Sequence, residues 1–272
     1  TFKEISANNF ANFKLMLPPL SEQQSIASFL DTKCGEIDSL ISLQEEMISE
    51  LQAYKQSVIT EAVTKGLDPN AKMNCCASRE KNDACISSSE TQPAIERKFK
   101  DSGVEWIGEI PEGWKTNRLK YLCSIATGNK DTQDSEEDGI YKFYVRSPII
   151  EHSNSWTFEG EGILMAGDGA GAGRVFHHAF GKYAVHQRVY RMADFKSINT
   201  NFLYYYLSSL FCRIMDMGSA QSTVPSVRLP MLTNFVVCIP PLSEQQAIAS
   251  YLDDKTSQID SLISLKQQKI DE

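Results

Sequence analysis

Residues 18–43 read PPLSEQQSIASFLDTKCGEIDSLISL and residues 240–265 read PPLSEQQAIASYLDDKTSQIDSLISL, with 20 of the 26 positions identical at a constant offset of 222. The match reaches back to Asn12-Phe13 against Asn234-Phe235, each followed by a short strand-like run into the proline pair. A period this long is no solenoid repeat. It is the duplication of a unit made of one domain and one helix.

Each proline pair reads as a helix start, with Ser21 and Ser243 as N-caps and Gln24 and Gln246 completing capping boxes three residues on. In the first copy no proline follows until Pro69, and no glycine lies between Gly35 and Gly66. Apolar residues step by threes and fours through Leu30, Cys34, Ile37, Ile41, Ile48, Leu51, Val58 and Ala62, with Gln44 and Lys55 interrupting. This predicts an amphipathic, coiled-coil-like helix ending near Lys65-Gly66, roughly 65–70 Å long at 1.5 Å per residue. The second copy repeats the stripe with Leu252, Ile259, Ile263 and Ile270 and stops at Glu272. Neither stripe is hidden by its own helix, so the two are expected to pack together. A generic dimerising coiled coil is the plainer alternative.

Residues 67–98 read as a linker, rich in Asn, Ser, Lys and Glu and without apolar period. A Gly/Pro-punctuated segment with two tryptophans, Trp106 to Trp114, follows, and residues 115–240 have the look of a compact domain. Strands are expected at Tyr141–Val145, Gly162–Ala166, Gly173–His177 and Tyr183–Arg191. An aromatic helix is expected from about Thr200 to Met217, with a shorter one from Ser226. The mixture predicts an α+β domain.

Composition narrows the function classes. With 27 Lys+Arg against 35 Asp+Glu the formal charge is −8, which speaks against a nucleic-acid binder taken whole. Divided by segment it does not. Residues 115–240 hold 13 basic and 11 acidic residues, a net of +2, and five of those acids crowd into Asp131–Asp138. The acidity belongs to the helices and linker. The seven cysteines show no paired CxxC, Cys75, Cys76 and Cys85 included, so reduced cytoplasmic thiols rather than zinc or disulfides are expected. No apolar run approaches a membrane span, and the start at Thr1 has no signal-peptide shape.

No catalytic constellation stands out. The run Gly167-Asp168-Gly169-Ala170-Gly171-Ala172-Gly173-Arg174 lacks the Lys-Ser/Thr of a phosphate loop and the spacing and helix of a dinucleotide fingerprint. It reads better as a tight turn that lets backbone approach a ligand. His152, His177, His178 and His186 have no metal-ligand spacing, and no Asn-Pro-Pro-aromatic or Asp-Pro-Pro-aromatic tetrapeptide of an amino-methyltransferase occurs. Arg188, in an alternating strand, is equally a base reader or a paired structural arginine. The polar loop from Gly218 to Arg228 is equally a phosphate-binding helix start or a plain cap by Ser226. The candidate DNA contacts are Tyr144, Arg146, Arg174, His177, His178, Lys182, Arg188, Gln221, Ser222, Thr223 and Arg228.

The twice-occurring Pro-Pro-Leu-Ser-Glu-Gln-Gln-x-Ile-Ala-x-(Phe/Tyr)-Leu-Asp with Ile-Asp-Ser-Leu-Ile, together with Trp106-Ile107-Gly108-Glu109-Ile110-Pro111, closely resembles the specificity subunit of type I restriction–modification systems. The resemblance covers nearly the whole chain. It implies target-recognition domains alternating with two long helices that pair antiparallel as a spacer, each domain reading one half of a bipartite DNA site. It implies a tail of a preceding recognition domain at 1–17, a first spacer helix at 18–66, a recognition domain at 99–239 and a truncated second spacer at 240–272. The partners it implies are double-stranded DNA, methyltransferase subunits and restriction subunits. The chain itself is then not an enzyme and needs no cofactor, since the methyl donor sits on the partner. With one complete recognition domain, the chain is read as a fragment or as a natural half-subunit that forms a homodimer. The rival readings are a coiled-coil scaffold whose central domain binds protein, and a methyltransferase in its own right.

Overall fold

A computed structural model describes residues 10–12, 14, 16–67, 97–218 and 225–272. The linker cysteines Cys75, Cys76 and Cys85, and the candidates Gln221, Ser222 and Thr223, lie outside the described residues. The chain divides into two compact units, Thr1–Gln52 with Ser261–Glu272 and Ala53–Asp260. Two long helices, α1 (Leu20–Lys65) and the C-terminal Leu242–Asp271, contribute to both.

Both helices start two residues earlier than serine N-caps would place them, at Leu20 and Leu242, so the serines lie inside the first turn and do not cap it. The carbonyls of Pro19 and Pro241 accept the first helical bonds, from Gln23 N and Gln245 N. The glutamine side chains then reach back. Gln23 Nε2 donates to Pro18 O at 2.7 Å and Gln245 Nε2 to Pro240 O at 2.8 Å, so the repeated sequence repeats its own closing device. At the far end of α1, Gly66 takes a left-handed φ of 77° and Arg97 Nη1 donates to the orphan carbonyl of Lys65.

In the first unit the half-buried residues of α1 are Ile41, Gln44, Ile48 and Leu51, and those of the C-terminal helix are Ile263, Lys266 and Ile270. Leu30 and Ile37, expected on the packing stripe, are exposed at 52% and 54%. Lys266 Nζ sits 3.3 Å from Gln44 Oε1.

The second unit is the α+β domain with a helical segment at each end. In chain order its strands are β1 (Phe99–Asp101), β2 (Glu109–Pro111), β3 (Lys115–Arg118), β4 (Ser124–Thr127), β5 (Tyr141–Tyr144), β6 (Ile150–Ser153) and β7 (Phe158–Glu159). Then come β8 (Gly162–Ala166), β9 (Phe176–Ala179), β10 (Lys182–Val185), β11 (Val189–Ala193), α2 (Thr200–Gly218), α3 (Leu229–Thr233), β12 (Val236–Ile239) and α4, the C-terminal helix. Two four-stranded sheets run β6-β5-β10-β7 and β4-β11-β8-β9, and two-stranded pairs join β1 to β2 and β12 to β3. Only β5 and β10 pair parallel among these ladders.

The main core is aromatic. Helix α2 buries Phe202, Leu203, Tyr206, Leu207, Leu210, Phe211 and Met215 at helical spacing, against Trp114 and Phe235. Ile59, Ala62 and Val63 of α1 and Ile248, Ala249 and Leu252 of α4 join the same cluster, so both helices are rooted in it. Within this unit they run antiparallel. Lys55 pairs with Asp260 at 2.6 Å, whereas Lys65, ten residues on, shares Arg97 with Glu244. Glu244 also accepts from Trp114 Nε1 at 3.0 Å.

Three local expectations are corrected. The expected strand Tyr183–Arg191 is two strands, because residues 186–188 turn: Val189 N returns to His186 O, and Arg188 N donates to His186 Nδ1. Arg188 therefore sits in a turn, not a strand. The strand expected from Gly173 begins at Phe176, since Arg174 N and Val175 N both fold back on Gly171 O. The helix expected from Ser226 is only Leu229–Thr233, and Ser226 instead forms an isolated bridge with Asp168.

Candidate nucleic-acid interface

The turn that breaks the predicted strand, the loop after β5 and the glycine run after β8 gather at one end of the sheets. Gly167 N donates to Arg188 O at 2.9 Å, Val227 N to Gly167 O at 2.7 Å and Gly169 N to Pro225 O at 3.0 Å. Glycine is required where this loop touches its neighbours. A Cβ on Gly167 would lie 2.8 Å from Arg188 O, and one on Gly171 2.6 Å from Arg146 O. The close backbone approach read from the sequence is thus to the two arginine-bearing segments of the chain itself.

Between those glycines, Asp168 holds both arginines. Its Oδ1 accepts from Arg146 Nη1 at 3.0 Å and its Oδ2 from Arg188 Nη1 at 2.6 Å. Burial alone would raise the Asp168 pKa, but the hydrogen bonds from Arg188 and Arg146, with their charges, outweigh it and hold the carboxyl below its ordinary value. Beside this trio opens a cleft of about 610 Å³, lined among others by Thr132, Ser147, Glu151 and Val175. Glu151 Oε2 is sealed from solvent without a hydrogen-bond partner among the described residues.

His186 anchors the turn. It is 2% exposed, stacks on Phe143 and accepts from Arg188 N through Nδ1, which places its proton on Nε2, facing Asp131 Oδ1 at 3.4 Å. Its pKa is pushed down, first by burial and then by Arg146, against the pull of Asp131. Neutral imidazole is the form that this turn needs.

The other candidates fall in different places. Tyr144 is buried at 3%, its ring against His177 at 5.2 Å, so its side chain is core rather than contact surface. His177 is half-buried and bonds the carbonyl of Ser147 at 3.1 Å, which ties it to the cleft margin. Its pKa too is lowered by burial. Arg174 is exposed and pairs with Asp216 at 2.5 Å, apart from the trio. His178 pairs with Glu161 and stacks on Tyr204, and Lys182 lies 4.9 Å over Trp156; these two do not join the arginines. Arg228 is exposed at the start of α3. Sequence reasoning missed Asp168. Its one signal was an acid set among glycines, which read only as turn chemistry.

Among the described residues no group of His, Cys, Asp and Glu is placed to hold a metal ion, and no helix is long and apolar enough to cross a membrane. The family model for the type I restriction modification DNA specificity domain matches residues 1–53 and 111–272. The chain belongs to that family.

The specificity-domain chain is 33% identical to the Escherichia coli type I restriction enzyme EcoDI specificity subunit over 154 residues, covering 57% of this chain and 34% of that protein. It is 26% identical to the MjaVIII specificity subunit of Methanocaldococcus jannaschii over 286 residues, covering 96% and 58%. It thus spans between a third and three-fifths of these relatives. Among solved structures, one described as revealing complex assembly and conformational transition of the type I R-M system superposes with a TM-score of 0.62 at 18% identity, covering 93% of this chain and 56% of the other. The type I restriction-modification S subunit from M. genitalium gives 0.54 at 14%, covering 93% and 59%. These two likenesses concern the fold.

Proposed function

We propose that this chain is a DNA-reading subunit of a type I restriction–modification complex. Residues 99–239 read one half of a bipartite site in double-stranded DNA, while the helices serve as spacer and as scaffold for methyltransferase and restriction subunits. The chain carries no chemistry of its own and works in the cytoplasm, with the methyl donor on its partners. The observation that carries this reading is the pair Arg146 and Arg188, drawn from distant segments onto one carboxylate at an open sheet end of the least acidic region. Phosphate contacts fix register and guanidinium groups read base edges.

A bipartite site needs two readers, and either a preceding recognition domain on a longer chain or a homodimer of this one supplies the second. Removing one heptad from residues 37–58 then changes the required spacing between half-sites and leaves the bases read unchanged.

The reading is tested by measuring affinity for duplex DNA at about 50 and 200 mM salt. Binding must weaken steeply as bound phosphates exchange for counterions. Affinity independent of salt would instead support a coiled-coil scaffold whose central domain binds protein. Methyl-donor binding by the isolated chain would make it a methyltransferase.

A further inference from the structure

Asp168 is poorly explained as a structural staple. Its carboxylate is mostly enclosed, at 18% exposure, but Arg188 stands open at 60% and Arg146 at 41%. Ion pairs with partners this exposed contribute little to stability. The surrounding backbone is nonetheless built around them: Gly167 and Gly171 fit flush against the carbonyls of Arg188 and Arg146, and His186 caps the Arg188 turn. The chain has invested in where these guanidinium groups point.

Each arginine spends one terminal nitrogen on Asp168, which leaves Nη2 and Nε of both as donors. A hydrogen bond from one corner of each guanidinium to a mostly enclosed carboxylate narrows the orientations it can take. A phosphate accepts from many directions and gains little from that. Two acceptors at fixed spacing on a base edge gain much, because both N–H groups must align together. The carboxylate also cancels half the charge of the pair, which weakens phosphate attraction.

We propose that Asp168 is a positioning residue for base reading, setting the planes of Arg146 and Arg188 so that their free donors meet the O6 and N7 acceptors of guanine in the major groove. The inference rests on the DNA-reading function proposed above and names the base chemistry at that site.

The test is selection from a random duplex library by the full 272-residue chain and by its variants Asp168→Asn, Asp168→Ala and Asp168→Glu. The wild-type chain should enrich a motif containing guanine. In Asp168→Asn and Asp168→Ala the preference at one or two guanine positions should fall by about tenfold or more, the worth of a good bidentate contact. Their affinity for mixed-sequence DNA should hold or rise, and Asp168→Glu should restore part of the preference. Arg188→Ala must relax one of the same positions and add nothing there when combined with Asp168→Asn.

An unchanged motif in Asp168→Asn, with a thermal melt like wild type, would overturn the proposal. So would a loss of affinity equal across all sequences, which marks phosphate contacts or a merely structural role. If Asp168→Ala does not fold, Asp168→Asn and Arg188→Ala still decide the matter. Failure of the wild-type chain to bind any duplex overturns the DNA-reading function itself, and this inference with it.

Discussion

Lys266 Nζ lies 3.3 Å from Gln44 Oε1, and the two positions are separated by 222 residues, the offset of the internal repeat. Two repeat-equivalent positions therefore face each other, as happens where a local two-fold axis crosses an antiparallel pair. Both residues interrupt an otherwise apolar stripe of half-buried Ile41, Ile48, Ile263 and Ile270. A polar layer in such a seam costs stability and fixes register. The double variant Gln44→Leu/Lys266→Leu should raise stability by about 1 kcal/mol, or roughly 2–4 °C in Tm. Thermal melting checks this, and a lower Tm would mean that the polar layer is net stabilising.

The twin glutamines make a controlled pair. Gln245 is 1% exposed, donates to Pro240 O and accepts from Asn199 N at 2.7 Å, whereas Gln23 makes the same proline bond on an exposed surface. Truncating Gln245 orphans a backbone N–H and opens a small cavity, so Gln245→Ala should cost about 2–3 kcal/mol. Gln23→Ala should cost about 0.5 kcal/mol or less. Urea unfolding of both variants checks the contrast; equal costs would remove the burial argument.

Much of this architecture is legible in the repeat. The two helix starts, the end of α1 at Lys65-Gly66 and the alternation of helix with mixed domain follow from self-similarity and from the long gap between prolines. The local devices are not legible in the same way. Periodicity cannot tell that Pro19 and Pro241 rather than the serines open the helices, because both placements leave the apolar stripe unchanged. It also runs straight through residues 186–188, where a buried His186 side chain bonding the Arg188 N–H replaces the ladder. Asp168 escaped because its partners, Arg146 and Arg188, lie 22 and 20 residues away along the chain, and only the sheet order brings them together.

Acid should loosen the domain in a predictable window. His177, His178 and His186 all have pKa values below the ordinary 6.5, in each case chiefly through burial. The unfolded chain then takes up protons that the folded chain does not. Their contribution to stability is complete above about pH 6.5 and is lost as pH falls from there through the folded values. Asp168 acts separately, its contribution present above its ordinary 3.8 and lost only below it. Stability measured between pH 7 and 5 should fall. The fall should be shallower in His186→Asn, whose amide can still accept from Arg188 N without titrating. An identical slope would show that His186 carries no part of it.

Arg174 offers a contrast with Arg188 on the same domain. It is exposed and pairs with Asp216, outside the Asp168 cluster, and Asp216 is itself 60% exposed where Asp168 is 18%. A pair open to solvent on both sides can exchange its carboxylate for a phosphate, which asks for no fixed plane. Arg174→Ala should therefore weaken binding evenly across sequences and lower the salt slope by roughly one. Arg188→Ala should instead cost about 1–3 kcal/mol on the preferred sequence and much less on mixed DNA. Affinities for both kinds of duplex across a salt series separate the two roles. If Arg174→Ala changed the preferred bases while Arg188→Ala did not, base reading would belong to the Arg174 pair rather than to the arginines on Asp168.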